Sequence, residues 1–319
     1  MGGASLVRKR WPTSIAVYSI LRGVGLLVLV WVVWSVLAAL GRDHLWEVAS
    51  AAPGSILLAA CLYALGQLMR IVRLALLIGN ARLSLRRLTS FHLFTVGVAL
   101  GTPLRLGDLF RAIELGRMTG GVVAGLTYVW IERVLDAAII LPILLVEIGS
   151  GESGAIGRYL GIAVFTFLFI VASILMVALL PDNLRRMGTY LIRRHEGYWT
   201  IWVLRRIDEA RATIRRIPAI VRGKVASLAA LTVLVWCFEI GGFVVVMLAW
   251  RRDVDPLGGL LAFLSQTTAG GTLPDMLAPG VGLGSAVIAY LAASQVPLAI
   301  IAVIAMFYYL RLPVRRKTS

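Results

Sequence analysis

The chain has 319 residues, of which 59% are hydrophobic and only 15% charged, against roughly 25% charged in an ordinary soluble domain. With a mean hydropathy of +0.87, no soluble core of this length could hide the apolar surface, so the sequence specifies an all-α polytopic membrane protein. Most of the net charge of +16 lies between the apolar stretches, which assigns it to the positive-inside bias of membrane topology and excludes nucleic acid as the partner.

Span 1 is predicted over Ser14–Leu40, with Trp31, Trp34 and Trp46 towards its far end as an interfacial belt. Span 2 is predicted over Pro53–Leu77. Its last turns carry Arg70 and Arg73, three residues apart and so on neighbouring faces. With Arg22 they add positive charge near one end of the spans. Side chains of this length can snorkel to an interface.

Thr89–Leu100 is too short to cross a bilayer and ends at Gly101-Thr102-Pro103. There proline removes a backbone donor and glycine permits a sharp break. A second short helix, Gly107–Arg117, follows, and the pair is expected to form a re-entrant hairpin. Along it Arg105, Asp108, Arg111, Glu114 and Arg117 alternate in sign every three residues. A solvated amphipathic surface helix would show the same alternation. Span 3, Gly121–Ile148, carries Glu132, Arg133 and Asp136. Charges at such depth pair with one another or line a wet cavity. Asp136 can reach Glu132 and Arg133 along one helix, and Arg111 or Arg105 would balance the remaining negative charge.

Span 4 is predicted over Tyr159–Leu180. A long polar loop, Pro181–Lys224, follows, within which Ile214, Ile217, Ile220 and Val221 recur at helical spacing beside arginines. This predicts an amphipathic helix lying on the membrane surface. Span 5, Val225–Trp250, contains Glu239, either protonated or paired with a distant arginine. Leu257–Gly271 is a second short apolar piece, broken around Pro274, Pro279, Gly280, Gly282 and Gly284. A half helix to about Ser294 follows, and Pro297 opens a last span to Leu312.

Segments 1–13, 78–88, 181–224 and 311–319 carry 21 Lys and Arg, against 4 in segments 41–54, 149–158 and 251–256. Both termini are therefore expected to be cytoplasmic, with six transmembrane helices and two re-entrant hairpins in the inner membrane of a bacterium. Residues 1–150 form a first repeat (two spans, hairpin, span). Residues 151–319 form a second repeat of opposite orientation that includes the basic 181–224 segment. Inverted repeats with breaks at matching positions point to a transporter's central site.

Cys61 and Cys237 lie inside apolar runs, which argues against a disulfide. His44, His92 and His195 have no metal-ligand spacing, and no nucleophile elbow or phosphate-binding loop occurs. Neither an enzyme nor a metal or cofactor is expected. Arginine suits a phosphate, because its planar fork donates two hydrogen bonds at once. Arg70, Arg73, Arg105, Arg111 and Arg133 are thus the candidate substrate contacts. Asp108, Glu132, Asp136 and Glu239 are their charge partners, and Gly101, Pro103 and Gly107 the break that places them. Arginines in excess over carboxylates predict an anionic head group, although a small soluble anion fits the same electrostatics.

These residues resemble the transmembrane region of the lysylphosphatidylglycerol synthase family, the flippase-like membrane proteins. Pro103, Arg105, Gly107, Asp108 and Arg111 match its Pro-x-Arg-x-Gly-Glu-x-x-Arg pattern with Asp in place of Glu. Glu132, Arg133 and Asp136 match its Glu-Arg-x-x-Asp. Pro279, Gly280, Gly282, Leu283 and Gly284 resemble its late Pro-Gly-Gly-Leu-Gly with Val281 inserted, and the Glu that follows is absent near Ser285–Val287. The resemblance covers nearly the whole chain. It implies translocation of a lipid, such as an aminoacylated phosphatidylglycerol, a hopanoid or a polyprenyl-linked glycolipid. The aminoacyl-transferase domain of two-domain members has no room here, so a stand-alone translocator module is expected, driven downhill or by an ion gradient. A homodimer and a lipid-synthesising partner enzyme are both compatible with it. The alternatives are a membrane scaffold for a lipid-modifying or glycosyltransferase enzyme and a small-anion transporter.

Overall fold

The computed structural model describes residues 13–40, 50, 52–79, 84–102, 106–119, 121–149, 155–194, 197–250, 272 and 285–311. All regular structure among them is helical: α1 (Thr13–Leu40), α2 (Pro53–Ile78), α3 (Leu85–Leu100), α4 (Leu106–Thr119), α5 (Val122–Gly149), α6 (Ala155–Arg194), α7 (Tyr198–Val221), α8 (Val225–Trp250) and α9 (Ser285–Arg311). Five of them, α1, α2, α6, α8 and α9, are long and apolar enough to cross a membrane. The fifth helix in the chain has the length, at 28 residues, but carries three charges near its middle, each of them answered by a neighbouring helix. This is an all-α polytopic membrane protein.

Local chemistry sets the helix ends. α2 opens on Pro53, whose missing N–H costs nothing in a first turn. It closes on Gly79, a left-handed residue at φ 58° whose N–H bonds back to the Ala75 carbonyl. α3 starts at Leu85, earlier than expected, because the Ser84 hydroxyl accepts from the Arg87 N–H at 3.3 Å. At 16 residues α3 spans ~24 Å, short of a ~30 Å hydrocarbon layer.

α3 and α4 form an antiparallel hairpin. Phe94 meets Phe110 edge to face at 5.5 Å between ring centres, and a Cβ on Gly107 would collide with the Ala99 backbone. Only glycine permits that approach. The contact between α4 and α5 is closer still, since a Cβ on Gly125 would meet the Ala112 carbonyl and the Gly116 backbone. Gly125→Val is therefore expected to force the two helices apart and lower stability by about 1–3 kcal/mol, measurable as a fall in the thermal unfolding midpoint.

α9 lies at the centre. Its Ala302, Met306 and Tyr309 share a cluster with Leu29 of α1, Leu74 of α2, Phe91 and Phe94 of α3 and Leu115 of α4. At its other end Tyr290 and Ala293 pack with Val36 of α1, Ala59 of α2 and Phe243 of α8. Large apolar side chains such as Leu27, Trp34, Leu57, Phe165 and Ile174 face outward, as lipid-facing residues do.

Three expectations fail here, all involving a proline or an amphipathic face. Pro181 does not end a span: α6 runs on through it to Arg194, 40 residues in all, and α7 returns alongside. The expected polar loop is a helical hairpin. Its apolar face does not lie on a membrane surface, since Ile214 and Ile217 of α7 are buried with Leu77, Ile131 and Leu228 of the bundle. Pro297 likewise lies inside α9, so the half helix expected to stop near Ser294 and the last span are one helix. Neighbouring helices pack against both segments, which stay helical where proline alone would interrupt them. The second break, with Pro274, Pro279, Gly280, Gly282 and Gly284, lies outside the described residues.

Candidate functional site: a buried ion-pair cluster

The charges inside the spans converge. α2 contributes Arg70 and Arg73, α4 Asp108 and Arg111, α5 Glu132, Arg133 and Asp136, and α8 Glu239 and Thr232. Arg73 donates from Nη1 to Asp136 Oδ1 at 2.8 Å and to Thr232 Oγ1 at 3.1 Å, and its Nη2 lies 3.8 Å from Glu132 Oε1. Arg111 Nη2 lies 3.0 Å from Glu132 Oε2. Arg133 grips Asp108 with both arms of its fork, Nε to Oδ2 at 2.8 Å and Nη2 to Oδ1 at 2.5 Å, and reaches Asp136 at 3.5 Å. Arg70 and Glu239 form a second bidentate pair at 3.0 and 2.8 Å.

Two alternatives left open by the sequence are thereby closed. Arg70 and Arg73 do not snorkel: the Arg73 side chain is 1% exposed and turns inward because its carboxylate partners lie there. α4 is not a solvated surface helix, since Arg111 and Glu114 are both buried. Glu239 is paired with a distant arginine. Within this cluster the described arginines do not outnumber the carboxylates: Arg70, Arg73, Arg111 and Arg133 face Asp108, Glu132, Asp136 and Glu239. Arg105 and Pro103 lie outside the described residues. Gly101 closes α3 against Val28 and Val32 of α1, and Gly107 fits α4 against α3.

The cluster is graded in depth. The Arg133 and Asp108 side chains are 32% and 19% exposed, Arg111 and Asp136 less than a tenth, and Arg73 hardly at all. A buried ion pair repays its desolvation fully only when hydrogen bonds fill the remaining donors and acceptors, and several here lack one. Arg73 Nε, Arg111 Nε and both Glu132 oxygens have no hydrogen bond of good geometry among the described residues. The 3.0 Å approach of Arg111 to Glu132 is thus a charge contact with poor alignment.

His92, passed over in the sequence because it has no metal-ligand spacing, joins this site. It is fully buried, with Nδ1 3.3 Å from Arg111 Nη2 and Nε2 3.0 Å from Gln67 Oε1. A guanidinium only donates, so Nδ1 must accept and the Nε2 proton goes to Gln67. The partners dictate one neutral tautomer.

A second node binds the hairpin to the bundle. Glu114, 0% exposed, accepts both arms of Arg22 at 3.1 Å, Arg117 at 2.9 Å and the Tyr309 hydroxyl at 2.8 Å. One carboxylate thus joins α1, α4 and α9. Glu114→Ala is expected to destabilise the protein more than Arg117→Ala, because it strands three donor side chains, whereas Arg117→Ala removes one donor from a carboxylate that keeps Arg22 and Tyr309. Proteolysis rates of the two variants measure this.

No curated protein and no solved structure matches the chain. The family model for the lysylphosphatidylglycerol synthase transmembrane region matches residues 23–310, a stretch containing every helix of the cluster. The match covers nearly the whole chain, and the chain belongs to the lysylphosphatidylglycerol synthase transmembrane-region family.

Proposed function

We propose that this protein moves an anionic lipid, a phospholipid or a lipid-linked phosphate, from one face of the membrane to the other, with its head group carried by the buried ion-pair cluster. Arg111 and Glu132 carry the reading. They are buried side by side at 3.0 Å, and Arg111 Nε and both Glu132 oxygens take no hydrogen bond from the protein among the described residues. A phosphate entering past Arg133 and Asp108 would supply acceptors to Arg111 Nε and Arg133, releasing their carboxylates to the next arginine inward. The cluster itself is neutral, four arginines against four carboxylates, so an exchange of partners leaves only the charge that the phosphate brings. Arg105, which lies between α3 and α4 in the sequence, would add a cation to balance that anion. In this reading the α3–α4 hairpin is re-entrant, the two halves are inverted repeats, and α2 and α8, the second full span of each half, meet at the centre. The chain does no covalent chemistry. The distribution of Lys and Arg supports a cytoplasmic side for both termini and for the basic 181–224 segment, in a bacterial inner membrane.

The test is reconstitution into liposomes containing a trace of fluorescent lipid, with phosphatidylglycerol, phosphatidic acid and phosphatidylcholine probes compared. The expected result is faster movement of the anionic probes than in protein-free liposomes. Movement no faster than in empty liposomes for every probe overturns the proposal and favours the scaffold.

A further inference from the structure

On the far side of Gln67 from His92 lies an apolar cleft of about 250 Å³ between α2, α3 and α9, walled by residues that include Ala60, Leu68, Ile71, Leu93, Leu298 and Ile301. Leu68 and Ile301 at its rim are each 46% exposed, on helices that cross the membrane, so the cleft opens sideways towards lipid. Pro297 also lines it. A proline cannot donate to the Ala293 carbonyl one turn back, and its ring presents only hydrocarbon to the cleft.

The polar residues along its wall choose the occupant. Tyr63 donates to Gln295 at 3.3 Å, Ser294 donates to the Tyr290 carbonyl at 2.6 Å, and Gln67 accepts from His92 at 3.0 Å. Each is bonded within the protein, which leaves the cleft a hydrocarbon surface with little to offer a small anion or a head group. The volume falls below the ~300–1,000 Å³ of pockets that enclose whole small molecules. An alkyl chain needs neither polar contacts nor full enclosure, and it can enter a lipid-facing apolar cleft by packing alone, without leaving hydrocarbon.

The cleft is also tied to the charged cluster. Gln67 lies in its wall, His92 bonds Gln67, and Arg111 bonds His92. Two side chains, Gln67 and His92, therefore link a lipid-facing apolar surface to the arginine assigned to the head group. We propose that this cleft holds one hydrocarbon chain of the lipid whose head group engages Arg111, so that the two ends of one molecule are read on the two sides of His92. The inference rests on the lipid-transport reading and adds to it the place of the tail.

The test is photo-cross-linking in nanodiscs with phosphatidylglycerol carrying a diazirine in its acyl chain, mapped by mass spectrometry. Cross-links are expected to gather on Leu68, Leu93 and Ile301, to be suppressed by excess unlabelled phosphatidylglycerol more than by phosphatidylcholine, and to be lost in Ala64→Phe, which fills the cleft from its exposed rim. Cross-links spread evenly over outward-facing residues such as Phe165 and Ile174, or equal competition by both lipids, overturn the inference. The wild-type map decides even where Ala64→Phe does not fold. Liposome transport is scored separately: wild-type movement of anionic lipid with a uniform cross-link map sinks the chain site alone, whereas no movement sinks the transport reading.

Discussion

Asp136→Ala is expected to lower the stability of the protein by about 3–5 kcal/mol, the usual penalty for breaking a buried ion pair from one side. The reason is the position of Arg73. Its side chain is 1% exposed and its short contacts are Asp136 at 2.8 Å and Thr232 at 3.1 Å. Without Asp136 the guanidinium keeps one hydroxyl and a carboxylate 3.8 Å away, and cannot withdraw to water. Arg133 is affected less, since it retains its two-armed contact with Asp108. Replacing both partners, Arg73→Leu with Asp136→Leu, removes the stranded charge and is expected to recover much of the loss, because apolar substitutes for a buried pair are often neutral or stabilising. Thermal unfolding in nanodiscs checks this. A double variant as unstable as Asp136→Ala alone would show that the loss comes from packing rather than from an unpaired cation.

Arg111→Ala is expected to leave the protein folded and to slow anionic lipid movement by about tenfold or more. A charge-assisted hydrogen bond contributes ~1.5–3 kcal/mol, and each 1.36 kcal/mol is tenfold in rate. The fold is expected to survive because the Arg111–Glu132 contact is poorly aligned, so its loss removes less than loss of the short Arg73–Asp136 hydrogen bond, and because His92 keeps Gln67. Arg111→Lys is expected to fall between the two, retaining charge but losing the planar fork. Arg205→Ala, on the exposed face of α7 where the side chain is 72% exposed and paired with Glu209, is expected to behave as wild type. Equal slowing in Arg111→Ala and Arg205→Ala would assign the effect to overall charge rather than to the site.

Much of this arrangement is legible in the sequence because membrane burial makes local patterns expensive to violate. The ends of α1, α2, α5 and α8 fall within a residue or two of the apolar runs. The Gly101-Thr102-Pro103 break separates α3 from α4 as written, and the charges at 108–111 and 132–136 meet as their depth requires. Pairings made only by the fold are not legible. Arg70 and Glu239 are 169 residues apart, and Arg22 and Glu114 92. No local rule connects them, and the length of an arginine side chain invites snorkelling as the simpler reading. His92 carries no signal of its own because its role follows from Arg111 behind it and Gln67 in front. Pro181 and Pro297 mislead for the opposite reason. Their local rule is sound, but adjacent helices keep each segment helical through the ring.

The account rests on the ion-pair cluster being the place where an anionic head group is held. The most direct measurement is native mass spectrometry of the purified protein, released from nanodiscs of mixed phosphatidylglycerol and phosphatidylcholine, comparing wild type with Arg111→Ala and Arg133→Ala. Wild type is expected to retain phosphatidylglycerol in preference to phosphatidylcholine, with that preference lost in both variants while each remains folded. Retention of phosphatidylglycerol at the wild-type level in both variants would contradict the account and place the lipid elsewhere on the protein.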